Sequence, residues 1–336
     1  MSTNFIPGSV YSIVFDYEGH TDEIRIPITA LAVSEDKKNI FTGCANGIII
    51  NWNVTTGEGT VMIPSLHDSP YVRLAFANNN LFSVAQNKTM RVTPIAETGD
   101  KLHVEDYVSK LMKKLRSNIR DLAVTSDGKF AVVACAEHFV TYSVREDDDQ
   151  TWDGMNTFPV KFQPSCVAIA PSKNEFILGT RTLELYVFRT IRMDVYRDHY
   201  QKFDIIHLAA QPSSLAYSCD GKNLAVATVT GKVLIFTLGG QNKWKFQKSR
   251  DIHVGRVNVV SWSPDGRRIA TGGFDCNVIV WDIVCHEPPV IIDDAHSGKA
   301  INGVAWLDVE ILLTVGDDGD VRKWTVPIKP QEVNSS

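Results

Sequence analysis

Seven units of similar length follow one another through this chain, and this repeat restricts the possible fold more than any other feature. The clearest unit, from His253 to Ile283, contains a histidine, an alternating apolar run, a Ser-Pro-Asp-Gly turn and a strand ending in Trp-Asp. When the units are aligned on this tryptophan, the equivalent residues lie 41 to 49 positions apart: Trp52, Thr93, Tyr142, Phe188, Phe236, Trp281 and Trp324. A repeat of about 40–45 residues with these signatures predicts the four-stranded blades of a β-propeller.

The phase of the units predicts how the ring closes. Val10 to Tyr17 form an alternating strand ahead of the first unit, and the last unit ends at Val326, just after its third strand. The N-terminal strand can therefore complete the seventh blade and leave no open edge. We predict an all-β fold, a seven-bladed WD40 β-propeller over residues 9–327, with short tails at residues 1–8 and 328–336.

Charge and composition limit the kinds of partner that we expect for this protein and indicate its cellular compartment. The formal net charge is −5 and the isoelectric point about 6.0, which argues against nucleic acid as the main partner. No segment approaches the ~20 apolar residues that cross a bilayer, and the N-terminus lacks the pattern of a signal peptide. The six cysteines are scattered without a CxxC pair, which favours a reducing compartment. We expect a cytoplasmic monomer that binds neither nucleic acid nor membranes.

A recurring set of polar residues predicts a hydrogen-bonded network within the blades. Each set combines a loop histidine, a strand hydroxyl, a turn acid or amide, and the aligned tryptophan. Three units carry it: His20, Thr42, Asn46 and Trp52; His253, Thr271, Asp275 and Trp281; His296, Thr314, Asp318 and Trp324. The second unit offers only Ser83 and Asn87. Such clusters can form a catalytic relay, but recurrence at one place in several repeats favours a structural network that ties the strands together.

Two inserts interrupt the regular spacing. Between the second and third blades, apolar residues from Val104 to Leu115 recur at helical spacing, which predicts a helix within residues 100–117. Its other side carries four basic residues: Lys110, Lys113, Lys114 and Arg116. This helix either packs on the rim of the propeller or presents a basic face to an acidic partner. The second insert, the acidic run Glu146–Asp149, is either a solvated loop or a docking patch for basic residues.

Motifs of catalysis and cofactor binding are missing from the sequence. It contains no GxSxG, HExxH or GxxxxGK[ST] motif, and its nine histidines do not cluster at the spacing of metal ligands. Propellers also host enzymes, so a missing motif lowers this expectation without abolishing it. We expect a protein without enzymatic activity, metal or cofactor.

Four stretches resemble, in order, the C-terminal propeller of the actin-interacting protein 1 family. They are Thr29–Glu58, Asp121–Val144, Ser165–Thr180 and the last unit, from Ala295 to Trp324. The last is the most specific, because a Trp-Leu run at Trp306-Leu307 replaces the usual Ser-Pro-Asp-Gly turn. The resemblance covers the chain from about Ile28 to Pro327.

The resemblance implies a function in actin filament turnover. Members of that family are WD-repeat cofactors of ADF/cofilin that assist the severing of filaments and cap the resulting ends. They carry two propellers, whereas this chain has room for one, so it is either a fragment or a single-propeller relative. The resemblance implies actin filaments and ADF/cofilin as partners and an association with the cytoskeleton. A different class of function is an adaptor for a ubiquitin ligase or another assembly, but the Arg that many ligase-linked WD40 receptors carry after the Trp-Asp pair is missing here.

Overall fold

The computed structural model of the chain is a seven-bladed β-propeller. It describes residues 11–17, 26–63, 67, 69–95, 110–143, 154–172, 174–194, 197–284 and 288–326. The predicted tails, residues 1–8 and 328–336, and the acidic run Glu146–Asp149 lie outside these ranges. Among the described residues, no helix is long and apolar enough to cross a membrane.

Within the ranges given above, twenty-eight strands form the blades, numbered here in chain order. The first, β1, covers Tyr11–Tyr17. Blades 1 to 3 comprise β2 Ile28–Val33, β3 Asn39–Cys44, β4 Ile49–Asn53 and β5 Glu58–Ile63; β6 Tyr71–Ala77, β7 Asn80–Ala85, β8 Thr89–Pro94 and β9 Lys110–Lys114; β10 Ile119–Val124, β11 Phe130–Cys135, β12 His138–Ser143 and β13 Gly154–Pro159.

The remaining blades follow the same plan. Blades 4 to 6 comprise β14 Pro164–Ile169, β15 Glu175–Thr180, β16 Glu184–Asp194 and β17 Arg197–His207; β18 Pro212–Tyr217, β19 Asn223–Thr228, β20 Lys232–Leu238 and β21 Trp244–Asp251; β22 Val257–Trp262, β23 Arg268–Gly273, β24 Val278–Asp282 and β25 Val290–Ile292. Blade 7 comprises β26 Ile301–Trp306, β27 Ile311–Gly316, β28 Val321–Thr325 and the N-terminal β1. A short 3-10 turn over Gly240–Asn242 precedes β21.

The predicted ring closure is confirmed. β1 runs antiparallel to β28, with the register Tyr11↔Thr325 through Phe15↔Val321. Its end also pairs in parallel with β5 through Asp16↔Glu58 and Tyr17↔Gly59, so blades 7 and 1 form one eight-stranded sheet. The sequence did not predict this second pairing, which covers the outer edge of both blades at the point of closure.

The hydrophobic core is divided into seven layers, one between each pair of neighbouring blades. Consecutive residues of a second strand face different layers. Ile40 packs between blades 7 and 1, whereas Phe41 packs between blades 1 and 2. Because side chains alternate between the two faces of a strand and both faces are covered here, these strands are almost continuously apolar. An isolated blade would expose both of its faces, so stability depends on stacking around the ring.

A bulge follows the first residue of each innermost strand, and in blades 4 to 7 the side chain at the bulge bonds to the next blade. Ser165 Oγ donates to Pro212 O at 3.1 Å, and Asn258 Nδ2 donates to Ile301 O at 2.9 Å. Asn302 Nδ2 bridges blades 7 and 1 in the same way, donating to Ile28 O at 2.9 Å. These bonds join successive blades along the wall of the central channel.

Candidate protein-interaction surface

The polar network of blade 7 is a continuous hydrogen-bonded chain. His296 Nδ1 lies 2.7 Å from Asp318 Oδ1, and His296 Nε2 lies 2.7 Å from Thr314 Oγ1. Trp324 Nε1 donates to the same hydroxyl at 2.8 Å. The structure therefore brings together all four residues singled out in this unit, and it links the loop before the blade to its second and third strands.

The electrostatics of this network centre on Asp318. Burial raises the pKa of this carboxyl, but the hydrogen bond and charge of His296, the Asp320 backbone amide and Arg322 outweigh burial and hold the pKa below its usual value. Arg322 Nη2 lies 3.2 Å from Asp318 Oδ2 and 2.9 Å from Asp320 Oδ2. The carboxylate of Asp318 is thus satisfied by groups of the protein itself.

Blade 6 contains two of the three contacts that join the equivalent residues in blade 7. His253 Nδ1 lies 2.9 Å from Asp275 Oδ1, and His253 Nε2 lies 2.8 Å from Thr271 Oγ1. The Thr271 hydroxyl donates to Ile279 O at 3.2 Å, whereas the buried Trp281 Nε1 has no hydrogen-bond partner among the described residues. The prediction that Trp281 joins the chain is therefore wrong: its indole contributes to the apolar layer between blades 5 and 6.

Blade 1 shows part of its expected network. Trp52 Nε1 donates to Thr42 Oγ1 at 2.8 Å, as the equivalent pair does in blade 7. Asn46 Oδ1 accepts from Ile48 N at 3.2 Å within its own turn. His20 lies outside the described residues.

Blade 2 has a histidine network that the sequence analysis missed. His67 Nε2 lies 3.0 Å from Ser83 Oγ, and His67 Nδ1 lies 2.6 Å from Thr89 Oγ1, which donates to Asn87 Oδ1 at 2.5 Å. Two signals could have found it. His67 precedes the first strand of its blade by the same four residues as His253, and Ser83 is the fourth residue of the second strand, like Thr271.

These clusters hold the blades together. The side chains of His253 and His296 are 0% exposed, so a substrate would not reach them. Within the described ranges, no group of three or more His, Cys, Asp or Glu residues has the arrangement of a metal site. The His, Asp and Thr residues that could have formed a catalytic relay are thus hydrogen-bonded to one another.

The predicted helix of the first insert is wrong where the structure describes it. Lys110–Lys114 is β9, the outermost strand of blade 2, paired with β8 through Lys110↔Val92 and Lys114↔Thr89. The physical reason is that blade 2 needs a fourth strand, and these residues supply it. Lys114 and Arg116 are exposed. Because a strand has no helical face, the spacing that predicted one basic side for Lys110, Lys113, Lys114 and Arg116 does not apply.

A cavity of about 420 Å³ lies at one mouth of the central channel. It is lined by the first residues of innermost strands, by residues that directly precede such strands, and by residues of the turns between second and third strands. Its charged and amide-bearing members are Arg120, Arg181, Arg256, Gln86, Gln211 and Asn118. They belong to blades 2 to 6, so ring curvature alone brings them together.

The architecture defines the class of this protein as a seven-bladed β-propeller, and two segments of the chain match a WD-repeat family model. The WD domain, G-beta repeat family matches residues 11–53 and 244–282. The β-propeller domain of Cps50 (Swd1) from Myceliophteria thermophila superimposes with a TM-score of 0.70 at 12% identity, covering 90% of this chain and 98% of that one. This similarity supports the fold alone.

Within this class, the sequence resembles actin-interacting protein 1. The protein of that name from Caenorhabditis elegans is 29% identical over 317 residues, covering 92% of this chain and 49% of the relative. The Drosophila melanogaster protein of the same name is 25% identical over 300 residues, covering 89% and 46%. WD repeat-containing protein 1 from Xenopus tropicalis is 26% identical over 316 residues, covering 93% and 48%. The chain spans about half the length of these relatives.

Proposed function

We propose that this chain is a non-catalytic binding platform that acts with ADF/cofilin in the disassembly or capping of actin filaments. The observation that carries the proposal is the sequence similarity to two proteins named actin-interacting protein 1, which extends over about nine tenths of this chain. The proposed setting is the cytoplasm, in association with the cytoskeleton.

The geometry of the polar residues supports a platform rather than an enzyme. The histidine networks of blades 2, 6 and 7 are closed on themselves and buried, so they stabilise blades. A propeller held together in this way is a stable scaffold that presents loops and turns on two faces, which suits the binding of another protein.

One proposed contact is the basic segment around β9, comprising Lys110, Lys113, Lys114 and Arg116. Exposed cations on an outer strand and the loop that follows it are accessible to an acidic partner such as actin. Contacts between exposed charges are screened beyond about 8 Å at physiological ionic strength, so binding through them should weaken as salt is added.

A filament co-sedimentation assay tests the proposal. We expect this chain to pellet with cofilin-decorated filaments and less with bare filaments. Reversing the charge of the exposed pair, with Lys114→Glu and Arg116→Glu, should reduce pelleting without changing the melting temperature. The matched control reverses two exposed lysines on blade 5, Lys243→Glu and Lys245→Glu, and should leave pelleting unchanged.

The outcomes of this assay distinguish an error in the proposed contact segment from an error in the proposed function. Equal pelleting of the β9 variant and the parent would remove this segment from the interface and leave the function standing. If the parent does not pellet even with cofilin, the actin proposal is wrong, and a general adaptor becomes the better interpretation.

A further inference from the structure

Three arginines converge on the cavity at the channel mouth from three different blades. Arg120 is the second residue of β10, Arg181 lies in the turn between β15 and β16, and Arg256 directly precedes β22. All three are exposed, and none of the residues that line the cavity is acidic. The mouth is therefore a concave site with three positive charges in a chain whose net charge is −5.

Arg120 lies at the bulge of the innermost strand of blade 3 and differs from the residues at the same position in other blades. In blades 4 and 6 the residue at the bulge is short, and Ser165 and Asn258 bond to a carbonyl of the next blade. An arginine at this position, in blade 3, instead leaves an exposed guanidinium in the cavity. The next residue, Asp121, takes over the link between blades by accepting from Arg73 Nε at 2.7 Å and from Val167 N at 2.9 Å.

The arginines of the mouth are unpaired, unlike the charges of blade 7. There, Asp318 and Asp320 share Arg322. Among the described residues, by contrast, the guanidinium groups of Arg120, Arg181 and Arg256 form no ion pair. Three uncompensated like charges around one cavity repel one another and favour the binding of an anion.

Apolar side chains beside the cavity indicate what kind of anion fits. Val254, two residues before Arg256, is 86% exposed, and Phe274 is 68% exposed. The backbone N–H of Phe274 donates to Arg256 O at 2.8 Å, so these loops are held side by side. Arginine and aromatic residues such as phenylalanine are enriched in protein interfaces, whereas a free inorganic anion gains nothing from apolar neighbours.

We propose that the channel mouth binds an acidic peptide segment of a partner protein. The carboxylates of the segment pair with Arg120, Arg181 and Arg256, and an adjacent apolar side chain contacts Val254 and Phe274. Guanidinium groups suit this task because they bind carboxylates through two parallel hydrogen bonds. This site goes beyond the proposed function, because it binds its peptide whether or not the chain acts on actin.

Fluorescence anisotropy with the purified chain tests the proposal without actin or cofilin. The probe is a fluorescein-labelled dodecapeptide in which glutamate pairs alternate with leucine. A second peptide replaces every glutamate with glutamine, and a third replaces every leucine with glycine. We expect saturable, salt-sensitive binding of the first probe, weaker binding of the third, and none of the second.

Substitutions locate the binding site. Removing the three charges, with Arg120→Gln, Arg181→Gln and Arg256→Gln, should weaken binding on the order of tenfold, since each exposed charge pair contributes modestly. The control removes three exposed charges from blade 5, with Lys243→Gln, Lys245→Gln and Arg250→Gln, and should leave the affinity and the melting temperature unchanged. Phe274→Ser should weaken binding of the leucine-containing probe more than that of the glycine-containing one.

Two results would overturn the proposal. One is equal affinity of the parent and the triple arginine variant while both melt at the same temperature. The other is displacement of the probe by micromolar pyrophosphate together with no effect of Phe274→Ser, which would identify a phosphate site instead. Loss of filament binding in the co-sedimentation assay has no bearing on either result, so the two proposals fail independently.

Discussion

Blades 7 and 4 hold their third strands in place by different means. In blade 7, Trp324 at the aligned position donates to Thr314, which is joined to His296 and Asp318. In blade 4 the aligned residue is Phe188, whose ring stacks on Phe176 at 5.0 Å between centroids. A directional polar chain in one blade is thus replaced by non-directional aromatic packing in the other.

The aromatic cluster of blade 4 extends across the seam into blade 3. The Phe139 ring of β12 lies 5.1 Å from that of Phe188 and 5.6 Å from that of Phe176, and it stacks on Phe158 at 4.8 Å. The network of blade 7, by contrast, ties together elements of its own blade. The comparison teaches that blades without the histidine network are secured mainly through their neighbours, whereas blade 7 also carries an internal connection.

Truncation within the aromatic cluster should have the largest effect. Phe139 is 2% exposed, so Phe139→Ala should lower the free energy of unfolding by about 3–5 kcal/mol through lost burial and the cavity left behind. The measurement is denaturant unfolding followed by tryptophan fluorescence. Phe274→Ala, at a site that is 68% exposed, is the control and should change stability little. If both variants lose a similar free energy of unfolding, packing across the seam is not the source of the stability.

Removing the acid of blade 7 should have an intermediate effect. Asp318→Ala leaves the buried His296 Nδ1 without its partner and removes one of the two carboxylates that Arg322 contacts. It should cost about 1–3 kcal/mol, the usual penalty of a buried polar group left unsatisfied. Thermal unfolding of the variant beside the parent measures this. Asp317→Ala is the matched control, because Asp317 accepts from Asn302 in the same turn but lies outside the histidine chain. If the control loses more stability than Asp318→Ala, the histidine network does not stabilise this blade.

Much of the fold could be predicted because the repeat fixes the position of each third strand. All seven aligned residues lie in third strands and pair with equivalent residues of second strands, for instance Trp52 with Ile40 and Phe236 with Leu224. Over Lys110–Lys114 the predicted helix is wrong, because its apolar spacing was considered without regard to the fourth strand that blade 2 requires. A bulge in β9 also disturbs the alternation by which a strand is recognised.

The candidate surfaces were harder to predict, for two physical reasons. The network of His67 was missed because the units were aligned on a tryptophan, and blade 2 has Thr93 at that position. Without the tryptophan, the histidine before β6 was not recognised as the equivalent of His253. The cavity at the channel mouth has no local signal, since Arg120, Arg181 and Arg256 come from three blades. In the sequence, nothing distinguishes these three arginines from other polar residues, and only the closed ring makes them neighbours.

Two tryptophans at the same position allow the polar contribution to be separated from packing. Trp324 Nε1 is hydrogen-bonded, whereas Trp281 Nε1 is buried without a partner among the described residues. Trp324→Phe and Trp281→Phe remove the same atoms, so packing losses should be similar. We expect Trp324→Phe to cost about 1 kcal/mol more, the typical net contribution of one hydrogen bond. Equal costs in chemical denaturation would show that the indole contact of blade 7 contributes nothing measurable.

The pH dependence of stability should give the smallest effect. Because the folded-state pKa of Asp318 is lowered, this group stabilises the fold above its unfolded pKa of about 3.9, and the stabilisation is lost as the pH falls through the folded value. Asp318→Asn removes this contribution while keeping the shape of the side chain. The parent should therefore exceed the variant in stability at pH 7, and the difference should shrink below about pH 4. A difference that stays constant from pH 7 to pH 3 would mean that the network acts through shape and hydrogen bonding, with no contribution from the charge of Asp318.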